Sequence, residues 1–192
     1  ESDLASRISF FIWGSGPDDE LRELANQGKL SDPNVLETQV VRMLSDPRSR
    51  NLATSFASQW LRLQEAGKNQ PEPYLYPDFT GQLKEDMIRE TQMFFENLVK
   101  EDRSLLELVS ADYTFVNGRL AEHYGIEGII GNEFQRVTYK DETRRGLLGH
   151  GSVLMLTSMS NRTSPVLRGK WVMEVIMGSP PPPPPPDIPT LE

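Results

Sequence analysis

Helix-start signals recur along this chain more densely than any other feature, and they constrain it to a fold of many short helices. Asp32-Pro33 and Asp46-Pro47 each place an acidic N-cap before a proline at the first helical position. There proline's missing N–H costs nothing and its fixed φ is already helical. Pro17 is followed by Asp18, Asp19 and Glu20, negative charges that favour the positive end of a helix dipole. Ser164-Pro165 opens the last such segment. Behind these starts lie apolar stripes at helical spacing: Leu4, Ile8, Phe11 and Ile12; Leu21, Leu24 and Ala25; Leu36, Val40, Met43 and Leu44. Leu52, Phe56, Trp60 and Leu63 continue the series.

The same reading predicts a long helix over 80–101 with Leu83, Met87, Phe94, Phe95 and Leu98 inward, and a short one capped by Ser104. Asn117 caps another that ends at Tyr124-Gly125. Residues 67–77 read as an ordered loop. The segment 134–139 is the one convincing strand, with no partner evident, so it reads as an extended arm or as pairing with something absent. Residues 144–156 read as helix in spite of Gly146, Gly149 and Gly151, which lower helix stability by about 1 kcal/mol each. Those glycines therefore point to close approach by another backbone. Beyond Gly178 stand seven consecutive prolines, Pro180–Pro186. They predict a polyproline II rod of roughly 22 Å at 3.1 Å per residue. A stiff spacer is the preferred reading of that rod over a ligand for an SH3-like groove. The fold class is therefore all-α: an irregular bundle of about seven to nine helices with long loops, at most one short extended segment, and a C-terminal rod.

Charge and composition exclude several functions. The 192 residues carry 20 Lys and Arg against 28 Asp and Glu, a net charge of −8. That balance opposes binding to a phosphate backbone, so nucleic acid is not expected as a partner. No apolar run reaches the roughly 20 residues that span a bilayer. There is no cysteine, which excludes disulfides, thiolate catalysis, zinc–thiolate sites and covalent haem attachment within the chain. The opening at Glu1 reads as that of an excised piece, with no signal peptide visible. The terminal Leu191-Glu192 reads equally as native or as a cloning remnant.

Several strings together carry a family resemblance. The run Asp3-Leu4-Ala5-Ser6-Arg7-Ile8-Ser9-Phe10-Phe11-Ile12-Trp13 resembles the opening of domain of unknown function 1592, found in planctomycete-type multidomain cytochrome c proteins. Asp46-Pro47-Arg48, Phe56-Ala57-Ser58-Gln59-Trp60-Leu61, Arg89-Glu90-Thr91 with Phe94-Phe95, Asp112–Asn117 and Leu120–Ile126 fit the same pattern. From Arg145-Gly146-Leu147-Leu148 the chain is similar to domain of unknown function 1588. The marks are Asn161-Arg162-Thr163-Ser164-Pro165-Val166-Leu167-Arg168-Gly169 and the proline run with Ile188-Pro189. The expected organisation is 1–132 for the first domain, 133–179 for the helical start of the second, and 180–192 for a Pro-rich linker. The resemblance implies a CxxCH haem c site downstream of residue 192, a cytochrome c segment as partner, a possible redox partner protein, and a periplasmic or extracellular location.

The candidate site residues are few, and each has a plain structural reading. His123, at a helix C-terminus, reads first as a cap or packing residue; the sharper reading is a haem ligand or general base. His150, held between Gly149 and Gly151, has an axial haem ligand as its sharper reading. Arg162 and Arg168 read first as pins for the turn before the last helix, Arg162 through a carboxylate or helix carbonyls. Their alternative is to dock a haem propionate or an anionic substrate with a fork-shaped guanidinium. All four would touch a haem outside this chain. Met155, Met159, Met173 and Met177 read as core in preference to thioether ligands. The acidic pairs Asp18-Asp19, Glu85-Asp86 and Glu101-Asp102 give no sign of two carboxyls facing across a cleft. Gly149-His150-Gly151-Ser152 is not a nucleophile elbow. No catalytic or metal-ligating set is assigned. The expected function is a non-catalytic scaffold or docking domain of a secreted c-type cytochrome. The alternatives are a domain of a haem-linked periplasmic oxidoreductase acting on a small molecule or carbohydrate, and an interaction module that uses the prolines.

Overall fold

The computed structural model describes residues 1–68 and 70–182. Helix α1 (Ser2–Trp13) stops at Gly14, whose φ of 68° is the left-handed turn that a glycine C-cap permits. Helix α2 (Asp19–Asn26) begins at Asp18, whose side chain accepts from the Leu21 N–H. Helix α3 (Pro33–Ser45) begins at Asp32, which accepts from Asn34 and Val35. Asp18 also receives two hydrogen bonds from Arg42, at 2.7 and 3.1 Å, so one carboxylate caps α2 and ties it to α3. The Trp13 indole donates to the Met43 carbonyl at 2.9 Å. Leu21, Leu30, Met43 and Ala57 close beneath it as the first of three apolar clusters.

The single helix expected from Asp46 through Leu63 is divided. A 3-10 turn (Pro47–Arg50) leads into a π-helical stretch (Leu52–Ala57), then a brief α4 (Ser58–Trp60). Arg62 turns left-handed at φ 58°, and a second 3-10 turn (Leu63–Gly67) follows. The widened turn puts Leu52, Ala53 and Ala57 all in the core while Phe56 stays on the surface. Packing demand, rather than local propensity, sets this register.

Helix α5 (Gly81–Lys100) is the axis of the molecule, capped by Thr80 on the Leu83 N–H. Its 20 residues span about 30 Å at 1.5 Å each. Its buried face holds the five expected apolar residues and, between them, Glu90 and Thr91. Short helix α6 (Glu107–Ser110) precedes strand β1 (Tyr113–Val116), and Asn117 caps α7 (Gly118–Tyr124), which ends on left-handed Gly125. Strand β2 (Gln135–Thr138) lies antiparallel to β1, with Tyr113 opposite Thr138 and Val116 opposite Gln135. The expected extended segment thus has a partner: Tyr113–Val116, read from sequence only as the lead-in to Asn117. What brings the two together is the return of the chain at Gly118, where an added Cβ would lie 2.9 Å from the backbone N and O of Gly131. The Gly118 N–H donates to the Gly131 carbonyl at 2.8 Å.

The helix expected over 144–156 is also divided. A 3-10 turn (Leu147–Gly149) precedes α8 (Gly151–Leu156), because Gly146 adopts φ 62° and starts the chain afresh. Ser164 caps α9 (Pro165–Trp171), and a π turn (Val172–Ile176) completes the described helices. The second cluster joins Leu61, Phe94 and Leu98 to Leu147, Val153, Trp171 and Val175. The third joins Leu83 and Met87 to Val116, Leu120 and Ala121. All three clusters rest against α5. Among the described residues the regular structure is mainly helical, joined by long loops, with one two-stranded ribbon and an isolated bridge between Ser158 and Thr163. From Pro183 onward the proline rod, the end of the expected linker and Leu191-Glu192 lie outside the described residues. No described helix is long and apolar enough to cross a membrane.

Candidate functional site: a cationic cleft beside helix α7

A cleft of about 660 Å³ opens between the 71–79 loop, the end of α7, and the turn joining α8 to α9. Its floor is apolar and rich in thioethers, with Phe79, Met87, Leu154, Met155 and Met159. Tyr124 forms one wall, and Arg144, Arg162 and Arg168 reach the same space. Asp78 is its single acidic lining residue.

The ion pairs make this grouping informative. Arg22, Arg42, Arg48, Arg50 and Arg62 each have a carboxylate oxygen within 4.0 Å. Arg89, Arg103, Arg119, Arg136 and Arg145 do as well. Among the described residues, the arginines without one are Arg7 and the three of the cleft. In a chain of net charge −8, three guanidiniums without an ion-pair partner among the described residues gather positive charge around one apolar hollow. Arg144 lies over the Tyr124 ring at 4.1 Å and donates to the Gly149 carbonyl at 3.0 Å. Arg168 donates to the Thr157 hydroxyl at 3.3 Å, bracing the turn after α8. Of the two kinds of partner expected for Arg162, a carboxylate or helix carbonyls, no carboxylate stands within ion-pair distance among the described residues.

Of the four candidates named from sequence, the structure brings His123, Arg162 and Arg168 to this cleft and sets His150 apart. His123 sits on the rim with its ring against Tyr124, 5.7 Å between centroids. Partial burial, and then the charge of Arg144, hold it below the usual imidazole range. His150 is wholly buried. Its Nδ1 lies 2.9 Å from the Thr91 hydroxyl and its ring meets Phe94 edge-on. Burial, followed by Arg144, pushes its pKa down to about 3, so it stays neutral. It is a packed wall residue with no face on the cleft. Of the glycines around it, Gly149 serves the close approach of backbone expected of it, whereas Gly151 makes room for side chains. A Cβ on Gly149 would stand 2.2 Å from the Arg144 carbonyl oxygen, and one on Gly151 would stand 2.7 Å from the Tyr124 hydroxyl. Met155 and Met159 line the cleft, whereas Met173 and Met177 do not.

Sequence reasoning missed the group behind the wall. Glu90 is fully buried and accepts from the Thr114 hydroxyl at 2.6 Å and from the Tyr124 hydroxyl at 2.5 Å. The Tyr124 oxygen in turn accepts from the Gly151 N–H at 2.7 Å. Burial raises the Glu90 carboxyl to about 7, more than these donors and Arg144 lower it. Burial and Glu90 together raise Tyr124 well above its ordinary value. One signal was available: Leu83, Met87, Glu90, Phe94 and Leu98 follow one another at spacings of three or four, so the stripe itself carries position 90 inward.

The site is thus a buried polar seam standing behind an arginine-lined cleft in an irregular helical body. Residues 1–126 match the family described as "PSD4: Protein of unknown function (DUF1592)", and the chain belongs to that family. Residues 144–192 match "PSCyt3: Protein of unknown function (DUF1588)". No curated protein and no solved structure matches the chain. The cleft lies across the two matched segments: Met87, His123 and Tyr124 come from the first, Arg144, Met155, Arg162 and Arg168 from the second.

Proposed function

We propose that this chain is the non-catalytic docking part of a larger secreted c-type cytochrome, with its cleft receiving an acidic group of the haem-bearing segment. The observation that carries this reading is the convergence of Arg144, Arg162 and Arg168, none with an ion-pair partner among the described residues, on one apolar cleft. The family order supports it, since the second family's short name links it to cytochromes.

The residues present suit a haem propionate. Arg162 and Arg168 offer planar forks that match a carboxylate with two parallel hydrogen bonds. Leu154, Met155 and Phe79 offer an apolar surface for the edge of a macrocycle. Covalent attachment must be provided elsewhere, because the chain has no cysteine. A bound haem c would supply one-electron transfer. This chain's residues would orient the haem-bearing segment, compensate the propionate charge and keep water from the apolar side. Because c-type haem is attached outside the cytoplasm, the reading carries a periplasmic or extracellular location with it.

The test is to express the protein extended past residue 192 through its haem motif, with c-type maturation. Arg162→Gln with Arg168→Gln removes two positive charges from beside the haem. The double variant is expected to lower the reduction potential, since positive charge favours the reduced iron. A potential and spectrum unmoved by that variant, and by His123→Asn, would refute the docking reading.

A second reading has one observation in its favour. The Tyr124 hydroxyl, backed by a carboxyl that titrates near 7, sits at the cleft wall where a small molecule or sugar would lie. A haem-linked oxidoreductase would use such a pair, and turnover lost in Tyr124→Phe would support it. The reading in which the prolines recruit a partner falls outside the described residues.

A further inference from the structure

The cleft and the buried carboxyl behind it share one guanidinium, and that sharing has a chemical consequence. Arg144 lines the cleft and lies on the Tyr124 ring, whose hydroxyl is bonded to Glu90. It is also the cation whose charge is felt at Glu90. No carboxylate lies within ion-pair distance of Arg144 among the described residues, so its charge serves whichever anion stands nearest. With the cleft empty, that charge is felt by an ionised Glu90 and, from the exposed side, by Asp141, whose own hydrogen bonds to Thr143 are the larger influence on it. When an anionic ligand occupies the cleft, two negative charges face one another through a phenol ring, and on the Glu90 side no water reaches the carboxyl to screen it. The less costly arrangement leaves one of them neutral.

We propose that the cleft binds an organic carboxylate with a flat apolar body together with one proton, and that Glu90 accepts the proton. The proposal rests on the reading of the cleft as an anion site but not on haem being the ligand. A ligand of this class places its carboxylate among Arg144, Arg162 and Arg168 and its body on Met87, Met155 and Phe79. Glu90 then keeps its proton and donates it within the buried network. No other group around Glu90 fits that role. Thr114 on β1 and the Gly151 N–H on α8 do not titrate. Tyr124 on α7 and Tyr139 after β2 are both raised by burial and stay neutral. Along α5, Asp86 is paired with Arg119, and Arg89 lies nearest Glu96. His150 is held neutral behind Thr91. His123 is the one competitor, because it titrates on the rim and its protonation would also attract an anion.

The linkage has a fixed sign. An anion in the cleft raises the Glu90 carboxyl above its unliganded value of about 7, so affinity falls as pH rises through 7. The fall is at most about tenfold per pH unit for one proton, and it levels off above the liganded value. Below about 6 the Glu90 contribution to affinity is flat.

The experiment uses the full 192-residue chain and 2-naphthoate, titrated by calorimetry at pH 6 and 8.5 in phosphate-free buffers of different ionisation enthalpy. The expected result is several-fold tighter binding at pH 6, with uptake of more than zero and up to one proton per ligand at neutral pH. The uncharged 2-naphthalenemethanol should take up none. Glu90→Gln should bind at pH 8.5 as tightly as the wild type does at pH 6, without proton uptake, while His123→Asn should keep the full dependence. If Glu90→Gln fails to fold, infrared titration of the buried carboxyl in the wild type, with and without 2-naphthoate, reads the same shift directly. Binding that is lost in Arg162→Gln/Arg168→Gln but does not vary with pH would overturn the proton linkage and leave the anion site standing. A pH dependence that survives Glu90→Gln and disappears in His123→Asn would overturn it in favour of the imidazole. No binding at either pH would remove both the linkage and the anion reading beneath it.

Discussion

At Gly149 the nearest foreign atom to an added methyl is the Arg144 carbonyl oxygen, at 2.2 Å, and backbone cannot rotate aside as a side chain can. Gly149→Ala should therefore destabilise the protein by about 3 kcal/mol through overpacking. Gly169, inside α9, has nothing within 4 Å of the same position. Gly169→Ala should be neutral or raise stability by about 0.5–1 kcal/mol, by restricting the unfolded chain. Urea denaturation of the two variants gives both values, and equal costs would show that the contact is not what matters at Gly149. The crowding at 146–151 was legible because three glycines in a helix-like run need a reason. The stripe carried position 90 inward, but the burial of a carboxyl there was not legible, because a carboxyl in a polar string is expected to be solvated and the two hydroxyls that make its burial tolerable, those of Thr114 and Tyr124, are distant in sequence.

Asp18 shows the same contrast between elements. It caps α2 through the Leu21 N–H and holds Arg42 of α3, and that hydrogen bond to Arg42 holds its carboxyl below the usual range. Asp18→Ala should cost about 1–2 kcal/mol. Asp19→Ala, one residue away and fully exposed, should stay within about 0.5 kcal/mol. The Asp18 contribution is present above the ordinary carboxylate range and is lost as pH falls through its depressed value, so the two variants should converge in acid denaturation. Helix starts were readable because a cap needs only one side chain and the adjacent N–H groups; Asp32, Asp46, Asn117 and Ser164 cap where the sequence places them, while Asp18, read as first-turn charge behind Pro17, and Thr80, read as the first residue of the long helix, are themselves the caps. Helix interiors and ends were less so. The π-helical turn at Leu52–Ala57 answers to Phe95 and Trp13 across the core, and β1 became a strand because residues around Gly131 returned to it. Both depend on chain that is distant in sequence.

Across the whole molecule, the two family-matched segments share their interior. Leu61, Phe94 and Leu98 from the first pack with Leu147, Val153, Trp171 and Val175 from the second. Thr91 bridges His150 and Ser152, at 2.9 and 2.7 Å. A chain cut after Thr143 would leave that face of α5 bare, with Glu90 and Thr91 opened to solvent. It should lose cooperative unfolding and dispersed amide signals, as followed by calorimetry and NMR; a sharp transition in the shortened chain would show that the first segment folds alone. The order of the two families was visible in the strings, but a shared core leaves no mark on either string separately. The last described helix is fastened across the same boundary. The Trp60 indole donates to the Val175 carbonyl at 2.9 Å, Arg62 meets Glu174 at 2.9 Å, and the Ser179 N–H returns to Met173. The polypeptide therefore departs toward its prolines from a clamped post rather than a swivel, and torque or tension arriving along that path enters the body at Trp60.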